Sequence, residues 1–461
     1  MADEQSTKPA RGTRDFLPDD IRRREYVVGI VRDVYQRYGF EPLETPAFEN
    51  IETLMGKYGE EGNQLIFKIL KRGEHEKTGE ADLALRYDLT VPLARVVAEY
   101  QGQLPTLFKR YQIQPVWRAD RPARGRFREF YQCDIDATGS TSPVVEAEQI
   151  TAVAEILTTL GFAEFRILLN HRRILTGLLE SREIPASQHE TVLVALDKLD
   201  KIGDKGVEAD FEARGIERYK ATRVLDMLRD IRMTAGESLA LGNASRLESI
   251  GKFLEGTAHT DALENVREIV RLTRDSAADG HLFVDPRLAR GLSYYTGAIM
   301  EIAVEGIGSL GGGGRYDNLV GMFLGRDVPA CGFSLGLERI IVVMTERNMF
   351  PPTLAQGSVD VLVTCLVDPA EAATLAGARA GALRLAGELR AAGLRVDVFP
   401  DASRKFDKPL KYATTRGARV MAIFGENEVS RGEASLRNLE TREQITVPRE
   451  EATAAIARLL T

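Results

Sequence analysis

Strand-like sequence that breaks off, gives way to a long helical stretch and then resumes limits how this chain can fold more than any other feature. Short runs rich in β-branched and aromatic residues fall at 65–70, 83–87, 107–117 and 128–135, and strand-like, glycine-rich sequence returns at 282–336. Between about 183 and 280 the chain is charged, poor in aromatics and helical in pattern, as at 191–199 and 263–274. A domain that resumes on the far side of such a stretch is interrupted by it rather than followed by it, so 183–280 is expected to be a helical insertion. The strand runs before it are short and closely spaced, which favours an antiparallel sheet.

Local signals place the other elements. Ile21, Val27, Val28, Val31, Val34 and Tyr35 recur at broadly helical spacing among charged neighbours, and Gly39 supplies a stop. The two prolines of 41–46 (EPLETP) suit an edge strand or an interface segment. Ser142 and Pro143 open a helix whose face carries Ile150, Val153, Leu157 and Leu160 before Gly161 ends it. Proline, glycine and serine cluster at 351–358, as at a linker. Beyond it, an apolar run at 359–367, an alanine-rich helix at 370–392, a strand at 394–399, a helix at 409–417, a strand at 420–424 and a last helix at 450–460 alternate as in a βαβ domain with a parallel or mixed sheet.

Composition closes off several classes. At 461 residues the chain has room for about three domains, and 44% hydrophobic with 28% charged residues excludes wholesale disorder. The longest purely aliphatic block, 340–344, is far too short to span a bilayer, so no membrane partner is expected. The start, 1–11, has no apolar core and reads as a frayed tail rather than a signal or transit peptide, which makes a cytoplasmic location the default. Cys133, Cys331 and Cys365 show no C-x-x-C spacing, so neither a disulfide framework nor a cysteine zinc site is indicated. With 61 Lys plus Arg against 68 Asp plus Glu the net charge is −7, so any nucleic acid must be held by local basic patches.

The densest such patch is 109–128, where seven Lys or Arg residues accompany one acid, Asp120. Arg118 and Arg126 flank a loop that includes Arg121 and Arg124, and would end and begin adjacent antiparallel strands. Two guanidinium forks could converge there on one phosphate, with Phe130 offering a ring face to a base. A solvated hairpin loop with salt bridges explains the same residues equally well. At 332–340 (GFSLGLERI) alternating glycines allow close packing around a ligand, and Glu338-Arg339 is either a structural ion pair or a source of a second phosphate-binding arginine. Arg290 and the phenols Tyr294 and Tyr295 precede an apparent strand at 298–304, as polar-ligand readers or as the rim of a core strand. The run 311–314 before Arg315-Tyr316-Asp317 reads as a glycine-rich loop, without the Lys-Ser/Thr ending of a Walker loop or the spacing of a dinucleotide fold.

Taken in order, these segments resemble the signature motifs of class II aminoacyl-tRNA synthetases: 41–46 resembles motif 1, 118–134 motif 2 and 332–340 motif 3. Within that class, 11–16 (RGTRDF), 85–90 (LRYDLT) and 290–297 resemble segments peculiar to the histidyl-tRNA synthetase family, and the likeness covers nearly the whole chain. It implies an α+β fold: an antiparallel-sheet catalytic domain at 1–182 and 281–350, a helical insertion at 183–280, and a C-terminal α/β anticodon-binding domain at 358–461. It also implies ATP-dependent ligation of L-histidine to a histidine-accepting tRNA through a histidyl-adenylate, by a homodimer.

The resemblance assigns roles by position. Arg118, Arg290 and Arg339 would be catalytic. Arg118, Arg126, Phe130 and Arg339 would bind ATP, accompanied by Mg2+ for which no ligands are assigned. Asp88 and Thr90 would take the α-ammonium of histidine, Arg118 and Arg290 its carboxylate and the α-phosphate, and Gln132, Asp136, Tyr294 and Tyr295 the imidazole, whose two nitrogens need both donors and acceptors. Arg121 and Arg124 would meet the acceptor end of the tRNA. Arg404, Lys405 and Lys408, within a stretch at 404–419 carrying six basic residues and one acid, would meet its anticodon end. Two positions depart from the family pattern: Ser293 where aspartate is usual, and Asp120 where class II enzymes commonly carry glutamate. Catalytically silent paralogues, which act as regulatory subunits or tRNA sensors, typically lose the ATP or histidine residues; this chain keeps Arg118, Arg126, Arg290 and Arg339. A prolyl, threonyl or glycyl enzyme would lack the Tyr294-Tyr295 context.

Overall fold

The computed structural model describes residues 7–71, 73, 78–233, 239–290, 294–355 and 359–460, and divides into two compact units, 1–349 and 350–461. In the first unit a helix spans Pro18–Arg37, opened by Pro18, whose missing amide costs nothing there, with Asp19 and Asp20 in its first turn and Arg37 in its last, charges suited to the helix dipole. Its buried stripe is Val27, Val31, Val34 and Tyr35, and Gly39 takes a positive φ of 75° where the chain turns away. Tyr35 donates its hydroxyl to the carbonyl of Cys133 at 3.0 Å and so anchors the helix to the sheet below.

Strand β1 (Glu41–Pro42) follows, then β2 (Phe48–Asn50), β3 (Lys68–Leu70) and β4 (Ala81–Leu85). The latter three form a separate antiparallel sheet in the order β2-β4-β3, so the runs at 65–70 and 83–87 do not join the main sheet. That main sheet is built from β1, β5 (Phe108–Trp117), β6 (Glu129–Thr138), β7 (Arg166–His171), β8 (Leu282–Val284), β9 (Ala298–Val304), β10 (Gly308–Arg315) and β11 (Ala330–Gly336). Its order is β1-β5-β6-β11-β10-β9-β7-β8, antiparallel throughout its middle and parallel only at the edge pairs β1/β5 and β7/β8. The proline-bearing edge expected at 41–46 is β1.

The glycine run at 311–314 is a central strand and not a loop. Glycine is a poor strand former, but any side chain here would collide with the neighbouring strand: a β-carbon on Gly313 would lie 1.9 Å from the carbonyl oxygen of Gly332, and one on Gly311 2.3 Å from that of Ser334. Behind the sheet lies the helix Val144–Thr159, which buries Ile150, Val153, Ile156 and Leu157 and has Pro143 at its N-cap. The Ser142 hydroxyl plays a lesser part than expected, accepting only the amide of Val144 at 3.3 Å.

The stretch at 183–280 is helical, with α-helices His189–Leu196, Leu199–Ala213, Arg218–Met233, Leu239–Leu254 and Thr260–Leu272. It falls within the first compact unit. Helix Leu239–Leu254 packs on β8 and on helix Arg172–Glu180, while Thr260–Leu272 packs on Val144–Thr159 and β7, so these two thicken the layer behind the sheet.

The second unit holds β12 (Val361–Leu366), β13 (Val396–Val398), β14 (Val420–Gly425), β15 (Glu433–Asn438) and β16 (Gln444–Pro448) in the order β13-β12-β14-β15-β16. The first three are parallel and the last two antiparallel, a mixed sheet. The alanine-rich helix Ala372–Ala391 buries Ala378, Ala382, Leu385, Ala386 and Leu389 on one face of it. Helix Asp407–Arg416 covers the other face against Leu362 and Met421.

Candidate active site

The open face of the main sheet carries a cleft where residues from five separate stretches meet: Asp88 and Thr90; Arg118 and Arg126; Phe130, Gln132 and Asp136; Arg290, Tyr294 and Tyr295; and Arg339. Strand alternation explains the third set, because Phe130, Gln132, Asp134 and Asp136 share one face of β6 while Cys133, Ile135 and Ala137 are buried on the other. The glycines opposite make room for them. A β-carbon on Gly312 would fall 1.7 Å from Nη1 of Arg290, and one on Gly314 2.9 Å from the ring of Tyr295.

One wall is cationic. Arg118, just past β5, donates Nε to the carbonyl of Tyr87 at 3.0 Å, and its guanidinium lies 4.2 Å from the Tyr87 ring and 5.1 Å from that of Phe130. The 121–125 segment turns tightly, with Ala123 and Arg126 exchanging backbone hydrogen bonds and Gly125 at φ 66°, and a β-carbon on Gly125 would come within 3.2 Å of Cγ of Arg339. Arg339 sits in the first turn of helix Leu337–Glu346 and donates to the carbonyl of Ser309. Burial lowers its pKa, and the neighbouring charges of Arg126 and Arg118 push the same way. Such a crowded set of guanidiniums is relieved by an anion. Arg290, on the glycine side, donates Nη1 to the carbonyl of Met300 at 3.2 Å and to Glu301 at 3.3 Å.

Of the two readings of Glu338-Arg339, the ion pair is not found among the described residues. Glu338 instead accepts the amide of Tyr131 at 2.9 Å, its carboxyl raised to about 7 by burial, with Arg14 3.9 Å away. Arg14, from the 11–16 segment, lies between the rings of Phe16 at 4.6 Å and Phe127 at 3.9 Å.

The other wall is acidic. Asp88 is 3% exposed; its Oδ1 accepts the amide of Val91 at 3.1 Å, capping helix Thr90–Glu99, and the hydroxyl of Tyr58 at 3.0 Å. Its Oδ2 is buried without a protein partner, an acceptor left for a ligand. Burial raises its pKa. Asp136 accepts the hydroxyl of Tyr316 and lies 2.8 Å from the fully buried Arg110, yet burial still pushes its carboxyl up to about 6. Gln132 donates to Ser334 at 2.7 Å and keeps a buried Oε1 unpartnered. Tyr294 and Tyr295 stack obliquely with centroids 4.9 Å apart, both almost wholly buried.

Sequence reasoning missed two residues of this cleft. Asp134 lines it between Gln132 and Asp136, its carboxyl raised to about 7 by burial, and Tyr316 holds Asp136. The first was readable: polar residues at every second position of an otherwise apolar strand mark one face. The second required knowing that the glycine run is a strand. Ser293 lies outside the described residues. Arg121 and Arg124 are exposed on the hairpin outside the cleft, Arg124 paired through Nε with Glu346 at 2.9 Å. In the other unit Arg404, Lys405 and Lys408 are exposed, with Arg404 paired to Asp368. No group of three or more His, Cys, Asp or Glu side chains able to hold a metal occurs among the described residues.

An antiparallel sheet bearing an arginine after one strand, a second across a hairpin and a third in the first turn of a following helix defines a class II aminoacyl-tRNA synthetase. A histidyl-tRNA synthetase family model matches residues 12–340, and an anticodon binding domain model matches 360–459. The chain is 41% identical to a histidine–tRNA ligase of Gloeobacter violaceus and 37% identical to one of Christiangramia forsetii, with 94% or more of each chain covered. Among solved structures it resembles a histidyl-tRNA synthetase from Nostoc sp. PCC 7120, with a TM-score of 0.76 and 29% identity over 99% of this chain and 100% of that one. This chain belongs to the histidyl-tRNA synthetase family.

Proposed function

We propose that the cleft joins L-histidine to its tRNA with ATP as the energy source. The histidine carboxylate attacks the α-phosphorus of ATP to give histidyl-adenylate and pyrophosphate; the terminal ribose hydroxyl of the tRNA then attacks the carbonyl carbon and AMP leaves. The first step needs positioning and charge relief more than proton transfer, because an anion attacks an anion. Arg118 would bridge the carboxylate and the α-phosphate, Arg290 would face the same phosphate from the glycine side, and Arg126 and Arg339 would hold the outer phosphates while Phe130 stacks on adenine. Asp88, helped by Thr90, would hold the α-ammonium. Asp136, Gln132, Tyr294 and Tyr295 would surround the imidazole, so an apolar isostere would leave buried polar groups unpaired and be rejected.

The observation that carries this reading is the meeting of opposite charges in one cleft, which is lined both by a buried, unpartnered carboxylate oxygen on Asp88 and by a set of mutually repelling arginines. Mg2+ fits as an ion carried on the ATP phosphates rather than in a protein cage, since it commonly takes only one or two carboxylates plus phosphate oxygens. Asp120, which lines the cleft and lies 3.5 Å from Arg126, would receive it. When bound, such an ion would neutralise charge on the departing pyrophosphate.

For the tRNA, Arg121 and Arg124 would meet the acceptor end, and Arg404, Lys405 and Lys408 the anticodon arm. The exposed edge strand β1 and the half-exposed Phe48 and Leu107 support a homodimer, which light scattering would test. No helix among the described residues is long and apolar enough to cross a membrane, and tRNA charging is proposed to take place in the cytoplasm. Histidine-dependent exchange of pyrophosphate into ATP should be present, should fail with other amino acids, and should collapse in Arg290→Ala. A folded, unmutated chain without exchange would rule out this function.

A further inference from the structure

Arg86 is almost fully buried at 1% exposure, and its guanidinium bonds to neutral oxygens instead of a carboxylate. Its Nε donates to the carbonyl of Pro115 at 2.8 Å; its Nη1 donates to the carbonyls of Thr45 at 2.6 Å and Pro46 at 3.0 Å, and to Oε1 of Gln114 at 3.0 Å. Its backbone is held as well, the amide donating to Ala47 at 3.0 Å and the carbonyl accepting from Trp117 at 3.1 Å. Burying a cation without an ionised partner in contact is unfavourable, so the arrangement calls for a structural reason. Desolvation brings its pKa down to about 10.

What it fixes is adjacent on both sides. Two residues after Arg86 stands Asp88, and Tyr87 between them accepts Nε of Arg118 and stacks under its guanidinium. On the other strand, Pro115 and Trp117 lead directly into Arg118. The guanidinium therefore braces the segment 86–88 against the end of β5, with 45–46 as a third anchor.

We propose that Arg86 is a positioning residue for amino-acid activation, setting the separation between the ammonium site at Asp88 and the carboxylate and α-phosphate site at Arg118. This rests on the roles given to Asp88 and Arg118 above. Arg126 and Arg339, which take the outer phosphates, lie beyond the brace, so its loss acts chiefly on histidine and on turnover, and on ATP only through the α-phosphate contact of Arg118.

The test is ATP–pyrophosphate exchange by the full chain, with thermal midpoints measured in parallel, for the unmutated protein, Arg86→Lys, Gln114→Met and Asp88→Asn. Lysine keeps the charge but cannot span Pro115 and Thr45 together; methionine removes the side-chain acceptor, which also serves the Thr45 amide at 3.2 Å and Nε2 of Gln112 at 2.6 Å. A misplacement on the order of 1 Å at a reacting group lowers turnover roughly 100-fold. Arg86→Lys should lose about that much in kcat/KM for histidine and Gln114→Met about 10-fold, each with a smaller rise in ATP KM, because only the α-phosphate contact of Arg118 is shared. A lowered thermal midpoint with unchanged kcat and histidine KM in both variants overturns the positioning role while leaving the site intact. An unchanged histidine KM in Asp88→Asn overturns the underlying assignment, and the brace with it.

Discussion

A β-carbon placed on Gly332 would lie 1.9 Å from Oδ1 of Asp136, so the carboxylate occupies the space a side chain on the adjacent strand would need. These two residues are directly paired across β6 and β11. Gly332→Ala should displace Asp136 and raise the KM for histidine by about 10- to 100-fold, the range expected for loss of a charged hydrogen bond of ~1.5–3 kcal/mol. The KM for ATP should change little. Titrating histidine in the exchange assay checks this, and an unaltered histidine KM would count against the imidazole role of Asp136.

Gly312 bears the same relation to Arg290, with an added β-carbon 1.7 Å from Nη1 and 2.6 Å from the carbonyl of Met300. Gly312→Ala should lower kcat of exchange at least tenfold, as for an interaction made at the reacting phosphate. Because the Met300 carbonyl belongs to β9, the thermal midpoint should also fall, and both quantities are measured on the same preparation.

The crowding of Arg339 by Arg126 and Arg118 predicts where its loss is felt. Arg339→Ala should raise the KM for ATP about tenfold or more and leave histidine KM near its starting value, since only the outer phosphates lose a charged partner. Competition by inorganic pyrophosphate should weaken in step. A variant in which both substrates suffer equally would place Arg339 elsewhere in the reaction.

Stability should depend on pH through Glu338. Burial raises its carboxyl from 4.5 to about 7, so between those values the folded chain holds a proton that the unfolded chain has released. Its stabilising share is complete below about 4.5 and is lost as pH rises through about 7, a difference of up to about 3 kcal/mol. Asp134, at about 7, and Asp136, at about 6, act with the same sign. Urea midpoints should therefore fall from pH 5 to pH 8, and Glu338→Gln should make that fall shallower.

Gly29 offers a contrasting case. It is exposed in the middle of helix Pro18–Arg37, and a β-carbon there meets nothing within 4 Å. Gly29→Ala should raise unfolding free energy by ~0.5–1 kcal/mol, through lower backbone entropy in the unfolded chain, without altering exchange kinetics.

Where one signal decided an element, the sequence alone sufficed. The stripe Val27, Val31, Val34, Tyr35 gave its helix, the prolines of 41–46 their edge position, and the arginines flanking 121–125 their hairpin. Elements decided by neighbours were harder to read. Gly311 to Gly314 lack strand propensity, and they form β10 because Arg290, Tyr295 and two neighbouring backbones fill the space that side chains would take. The hairpin of β15 and β16 was missed because its strands, EASLRN and QITVP, bury few large apolar residues and pair at the edge of a sheet whose parallel half carries the strong signal. Glu338 and Arg339, neighbours in sequence, diverge because successive residues of a helix point about 100° apart, one towards Tyr131 and the other towards Ser309.

Strand β6, which carries Gln132, Asp134 and Asp136, has β11 as its partner on the cleft side, and that partner begins almost two hundred residues later. During synthesis at the ribosome, β6 must wait until nearly the whole first unit, the helical stretch included, has emerged. Pairings this distant in sequence are slow to form, because the intervening chain must be closed into a loop first. The polar face of β6 lowers the hazard of that wait: an unpaired strand with two carboxylates and an amide on one side is a poor template for aggregation. The charged groups that would bind histidine in the finished enzyme would then also protect the nascent chain before its active site exists.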